Sequence, residues 1–188
     1  MSFAIDQATG LLMDTLYVPS PNFDERPVDA EINLVVIHGI SMPPGEFGGP
    51  YIEQLFTNRL DPTLHPFFTS IEGLQVSAHI LIRRDGEVIQ FVPFHRRAWH
   101  AGESCFQDRK RCNDFSIGIE LEGTDTVPYS DEQYNQLAEL IACLMRNYPA
   151  ITPERVTGHS DIAPQRKTDP GPAFEWAKLH HELDSRLG

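Results

Sequence analysis

The sequence predicts an α/β fold in a single domain, residues 1–188, and three observations carry that reading. Ile32–Ile37 (INLVVI) is an apolar run without alternation, as in a strand buried on both faces of a sheet. Phe115–Leu121 (FSIGIEL) is a second strong strand, with a glutamate set into it. Ser130–Tyr148 and the segment from Trp176 to Leu187 repeat apolar residues at helical spacing. A chain of 188 residues is long enough to bury roughly 70% of its unfolded surface without disulfide staples.

In order along the chain, residues 1–30 contain Pro19, Pro21 and Pro27 and read as an irregular arm that feeds the first strand. His38 and Gly39 end that strand, which puts a histidine where a sheet opens onto its loops, a usual place for a ligand or catalytic group. Ser41–Gly49 is turn-rich, and Ile52, Leu55 and Phe56 mark a short amphipathic helix. Asp61–Gln75 has two X-Pro steps and reads as a loop, either a groove wall or a surface excursion, with His65 at the surface. Val76–Arg83 and Glu87–Val92 flank Arg84-Asp85-Gly86 and form a β-hairpin. His79, inside its first strand, reads first as a hydrogen-bonded core or groove-wall histidine.

His95–Asp114 has no periodicity but carries Trp99, His100 and the basic run Arg109-Lys110-Arg111, an anchor for substrate carboxylates or a solvated loop. Cys105 or Cys112 with His100 would make a thiol–imidazole pair, but nothing supplies an orienting third group. Period-2 geometry puts Phe115, Ile117, Ile119 and Leu121 on one face and Gly118, Glu120 and Glu122 on the other. A carboxylate at Glu120 is costly inside such a strand unless it is paired or used. Ser130 followed by Gln133 is a capping box, opening a helix with Tyr134, Leu137, Leu140, Ile141, Leu144 and Tyr148 as its apolar stripe. Trp176, Leu179, Leu183 and Leu187 dock a C-terminal helix, leaving His180 and His181 as ordinary helix residues.

The formal net charge of −12 argues against nucleic-acid or anionic-membrane partners, whose phosphates such a field repels. Asp6 and Asp14 precede the first basic residue, Arg26, so the start of the chain lacks the form of a secretory signal. No apolar run approaches the ~20 residues of a membrane span. Three cysteines, an odd count, fit reduced thiols, and the expectation is a cytoplasmic protein.

The segment Gly158–Pro172, GHSDIAPQRKTDPGP, concentrates chemistry in a stretch broken by Pro164, Pro170 and Pro172. His159 follows a strand-like run and Asp169 lies ten residues on, so a loop folding back would aim imidazole and carboxylate at one point. His159 alone reads as well as a satisfied buried histidine. With His38 the set becomes three candidate ligands, the number a catalytic zinc takes with one position left open. Glu120 and Lys167 then remain without a structural purpose.

The blocks IHGISMPPGEFGGP, AWHAG, RCNDFSIGIELEGTDT and GHSDIAPQRKTDPGP resemble the zinc-dependent N-acetylmuramoyl-L-alanine amidases, in the branch acting on 1,6-anhydro-muropeptides. The likeness runs from about Pro19 to Trp176. It implies the mixed β-sheet flanked by helices that the family shares with bacteriophage lysozyme-type amidases and peptidoglycan recognition proteins. It also implies one Zn2+ on His38, His159 and Asp169, catalysis by Glu120 and Lys167, and substrate contacts around Ala98, Trp99, His100 and Arg111. The implied partner is a small molecule, an anhydro-muropeptide, met by a monomer. Gly39 departs from a common Asn, Ser160 from a frequent Cys, and Gln75 from an Arg that binds substrate in some relatives. A sensor that keeps the groove without the chemistry is the alternative, and a closed structural zinc site is a third.

Overall fold

The computed structural model describes residues 2–188. Its centre is a six-stranded mixed sheet built from β1 (Leu16–Tyr17), β2 (Leu34–Ile40), β3 (Ile80–Ile82), β4 (Val88–Gln90), β5 (Ser116–Glu122) and β6 (Val156–Gly158). The spatial order is β6-β2-β5-β3-β4-β1. β6, β2, β5 and β3 run parallel, and β4 turns back antiparallel to β3 across the hairpin. Gly86 sits at φ 88° in that hairpin turn, a backbone angle that glycine adopts without strain.

The register sorts the two long strands by face. Ile117↔Val35 and Ile119↔Ile37 place apolar side chains under α3 (Asp131–Asn147) and α5 (Trp176–Leu187), where they join the main core with Leu137, Ile141, Leu144 and Leu179. Gly118↔Val36 and Glu120↔His38 fall on the opposite face. Phe115 precedes β5 and packs with Leu34, Val36 and Cys112 on that second face, not with Ile117 as strict alternation suggested. The helix cap is as the sequence reads: Ser130 Oγ accepts from Gln133 N, and the Gln133 side chain accepts from Ser130 N. On α5, Leu179 and Leu183 are buried but Leu187, the last residue of the helix, is exposed.

Several boundaries differ from the sequence reading. β2 continues through His38 and Gly39 to Ile40, because β5 offers a pairing partner as far as Glu122. The arm is not irregular throughout. Ile5–Asp6 pairs with Leu11–Leu12, Leu16–Tyr17 joins the main sheet beside β4, and Phe23–Asp24 pairs with Arg97–Ala98. The buried Gln90 side chain fastens it, accepting from Leu12 N at 2.7 Å and donating to Gly10 O at 3.1 Å. The Arg26 guanidinium donates to the carbonyls of Phe94, Asn113, Asp114 and Ser116 at 2.8–3.2 Å, and burial pulls its pKa down to about 10.

The stretch Asp61–Gln75 is also more ordered than a loop, with a 3-10 turn over Pro62–Leu64 and α2 over Pro66–Ser70. His65 is half-buried and caps α2, its Nδ1 accepting from Phe67 N at 3.1 Å. With α1 (Tyr51–Phe56) this segment builds a second apolar cluster around Phe56, Phe68 and Phe91. His79 is a core histidine: Nδ1 accepts from Gly118 N at 3.0 Å, so the proton sits on Nε2, which donates to Arg96 O at 3.0 Å.

Candidate active site

Three parallel strands deliver their carboxyl ends to one place, the position where ligands bind in open α/β sheets. His38 lies near the end of β2, Glu120 beside it on β5, and His159 directly after β6. His159 opens a single helical turn, α4 (His159–Ile162), after which the chain folds back. Ser160 N donates to Asp169 O at 2.9 Å, which closes the loop and brings Asp169 alongside His159. Tyr129 Oη donates to Pro170 O at 2.9 Å and fixes the loop from the other side. Gly39 is shaped by the same tyrosine, since a Cβ there would lie 2.4 Å from Tyr129 Oη.

His38 Nδ1, His159 Nδ1 and Asp169 Oδ2 form a triangle with sides of 2.9, 3.1 and 3.2 Å. Ligands about 2.0–2.1 Å from a tetrahedral zinc stand roughly 3.3 Å apart, so the triangle has the size such an ion requires. Two imidazoles and one carboxylate are also a donor set of zinc hydrolases. The three atoms can hold a metal, and among the described residues no fourth ligand closes the group.

Burial holds the His38 pKa down to about 4, keeping the imidazole neutral and its lone pair available at neutral pH. Burial opposes ionisation of Asp169, yet hydrogen bonds from His159 and His38 hold its carboxyl well below the usual carboxylate range. Glu120 goes the other way. Burial, reinforced by the charge of Asp169, pushes its pKa well above the ordinary value. Its Oε2 is buried with no hydrogen-bond partner, a costly arrangement in a site that does not use it. Lys167, half-buried, joins Glu120 and the triangle in one cleft, with Trp99, Phe67 and Leu74 among its walls.

The N-acetylmuramoyl-L-alanine amidase family profile matches residues 28–172. The chain belongs to this family. Among amidase relatives, 1,6-anhydro-N-acetylmuramyl-L-alanine amidase AmpD of Escherichia coli K12 is 62% identical over 170 residues, 90% of this chain and 92% of that protein. The crystal structure of a Se-Met AmpD derivative superposes with a TM-score of 0.91 at 57% identity, covering 95% of this chain and 98% of the other. A complex of the E. coli amidase AmiD with anhydro-N-acetylmuramic acid-L-Ala-D-gamma-Glu-L-Lys is 29% identical, with a TM-score of 0.59, covering 96% of this chain and 65% of AmiD.

Within the amidase fold, the other residues singled out in the sequence fall in different places. Trp99 lines the cleft, whereas Ala98 is fully buried in the ladder with Phe23–Asp24. Arg111 ion-pairs with Asp114 at 3.1 Å and borders a separate shallow depression with Lys110 and Cys105. Gln75 is exposed beside Leu74 in a neighbouring hollow. His100 has both ring nitrogens engaged with protein groups, His38 and Ser116, so it forms no pair with a thiol. All three cysteines are free: Cys105 is exposed, and Cys112 and Cys143 are buried with raised pKa values. Sequence reasoning missed Tyr129 and Ser116, whose roles depend on contacts across the sheet that no local pattern encodes.

Proposed function

We propose that this chain is a zinc-dependent amidase that hydrolyses the amide joining the lactyl group of 1,6-anhydro-N-acetylmuramic acid to L-alanine in muropeptides. One observation carries the reading: an unpartnered, buried Glu120 oxygen in the same cleft as a triangle of three candidate ligands. The names of the relatives supply the substrate class, and the AmiD complex holds a molecule of that class.

His38, His159 and Asp169 would hold the ion. Zinc in such a site supplies a Lewis acid for the amide carbonyl and brings the pKa of bound water down to about 7. Glu120 takes the proton of the attacking water, a role suited to a carboxyl whose pKa lies above the ordinary range. In this reading Glu120 also passes that proton to the leaving amine, being the carboxyl in the cleft that is not a candidate ligand. Lys167 sets its ammonium against the oxyanion of the tetrahedral state, a contribution typically worth ~3 kcal/mol from one good donor.

The whole chain, 1–188, acts in this reading as one domain and as a monomer with a small-molecule partner. Its resemblance to the anhydro-muropeptide branch supports a place in cytoplasmic peptidoglycan recycling, and through muropeptide levels an effect on β-lactamase induction. Among the described residues no helix is long and apolar enough to cross a membrane. A non-catalytic sensor needs the groove but gains nothing from a buried carboxyl without a partner.

Mass spectrometry of purified anhydro-muramyl-tripeptide after incubation with the protein tests this. The expected products are anhydro-N-acetylmuramic acid and free tripeptide, absent when a chelator is added. Intact muropeptide that co-purifies with the zinc-loaded protein would establish the sensor instead.

A further inference from the structure

The block AWHAG lies beneath the ligand triangle, and its chemistry is directed at the two histidines. His38 Nδ1 faces His159 and Asp169, which leaves Nε2 on the far side, 2.9 Å from His100 Nδ1. His100 Nε2 is in turn 3.1 Å from Ser116 Oγ. The His100 and His38 rings meet edge to face, with centroids 5.0 Å apart at 86°. The next residue supports the other ligand, because Ala101 O lies 3.2 Å from His159 Nε2. Asn113 Oδ1 accepts from both His100 N and Ala101 N, at 3.2 and 2.8 Å, and so holds the two supports together.

The sheet makes room for this arrangement at one position. A Cβ built on Gly118 would stand 2.3 Å from His100 Cγ, so only glycine lets the imidazole lie against β5. The space that Gly118 leaves beside the carboxylates is therefore filled by a histidine. The proton inventory follows from the geometry. When His38 Nδ1 ligates the ion it presents a lone pair there in place of the hydrogen bond to Asp169, so its proton moves to Nε2 and is donated to His100 Nδ1. His100 then carries its own proton on Nε2 and donates it to Ser116 Oγ. Both tautomers are fixed by one chain of contacts.

We propose that His100 is a positioning residue, seated by Gly118 and Ser116, that holds His38 with Nδ1 turned to the metal. The proposal rests on the zinc-amidase reading and goes further by assigning the support of the ligand set.

Zinc affinity, measured by competition with a chromogenic chelator, and the visible absorption of the cobalt-substituted protein provide the test. His100→Ala and Gly118→Ala are expected to weaken zinc binding about 10- to 100-fold, the usual effect of losing such a partner, and to alter the cobalt spectrum. His100→Asn, whose Oδ1 can accept where Nδ1 did, should restore most of the affinity. His100→Gln, with its oxygen displaced by one bond, should not, and this pair decides the matter if His100→Ala fails to fold. Equal affinities for Asn, Gln and wild type, or a raised KM at unchanged zinc affinity, would overturn the assignment while leaving the amidase reading intact. A wild-type chain that takes up no zinc would remove both.

Discussion

Glu120 carries the sharpest residue-scale consequence. Burial, and after it the charge of Asp169, raises its pKa above the ordinary carboxyl value, which makes it the more basic of the two carboxylates. Glu120→Ala should keep its zinc and lose roughly 10²–10⁴-fold in kcat, the range of a removed general base. A zinc-replete variant with near-normal turnover would end that role. Lys167→Met should depress kcat by about 10²-fold with little change in substrate affinity, as expected for a donor that acts on the transition state alone. An effect confined to KM would mean that Lys167 only binds. The sequence singles out Glu120 as a glutamate in an apolar strand and Lys167 through the amidase resemblance, and the structure puts both side chains in one cleft.

At the scale of elements, what the sequence shows is what neighbours along the chain decide. The capping box at Ser130, the Asp-Gly hairpin and the alternation of β5 from Ile117 to Leu121 stand as read, though not at Phe115, since each depends on residues within a few positions. Ser130 Oγ has a further task, donating to Arg84 O and tying α3 to the hairpin. Ser130→Ala should therefore destabilise the fold by about 1–2 kcal/mol, seen as a lower denaturation midpoint at unchanged m-value. A midpoint equal to wild type would show that neither contact matters. The arm was not legible for the opposite reason. Its partners, Gln90 and the carbonyls of Phe94, Asn113, Asp114 and Ser116, lie far along the chain, and its prolines hide strands of only two residues. The seat of His100 was not legible either, because Gly118, which leaves room for the ring, lies on a neighbouring strand.

For the whole molecule, one sheet serves two purposes: one face packs under α3 and α5, and the other sets the site's histidines and Glu120 among apolar clusters. The buried histidines make stability depend on pH in a defined direction. Burial holds His38 to about 4 and His79 to about 3, and it keeps His100 well below its ordinary value. Histidines in the unfolded chain titrate near ~6.5, so between those values the unfolded state binds more protons and stability rises with pH. The zinc-free protein should accordingly lose stability steadily as the pH falls from about 6.5 toward about 4, with Asp169 adding to the loss at still lower pH. Glu120 opposes this trend, its raised pKa favouring the folded state at low pH, but it is one group against three. Thermal midpoints recorded across that range check the sign, and a flat or inverted profile would contradict it.

The claim on which the rest depends is that two strand-end histidines and a returning aspartate bind one zinc ion. An anomalous difference map from crystals of the zinc-loaded protein, collected on either side of the zinc absorption edge, addresses it directly. The account predicts one peak, in contact with His38 Nδ1, His159 Nδ1 and Asp169 Oδ2. A peak elsewhere, or none at that triangle, would contradict it.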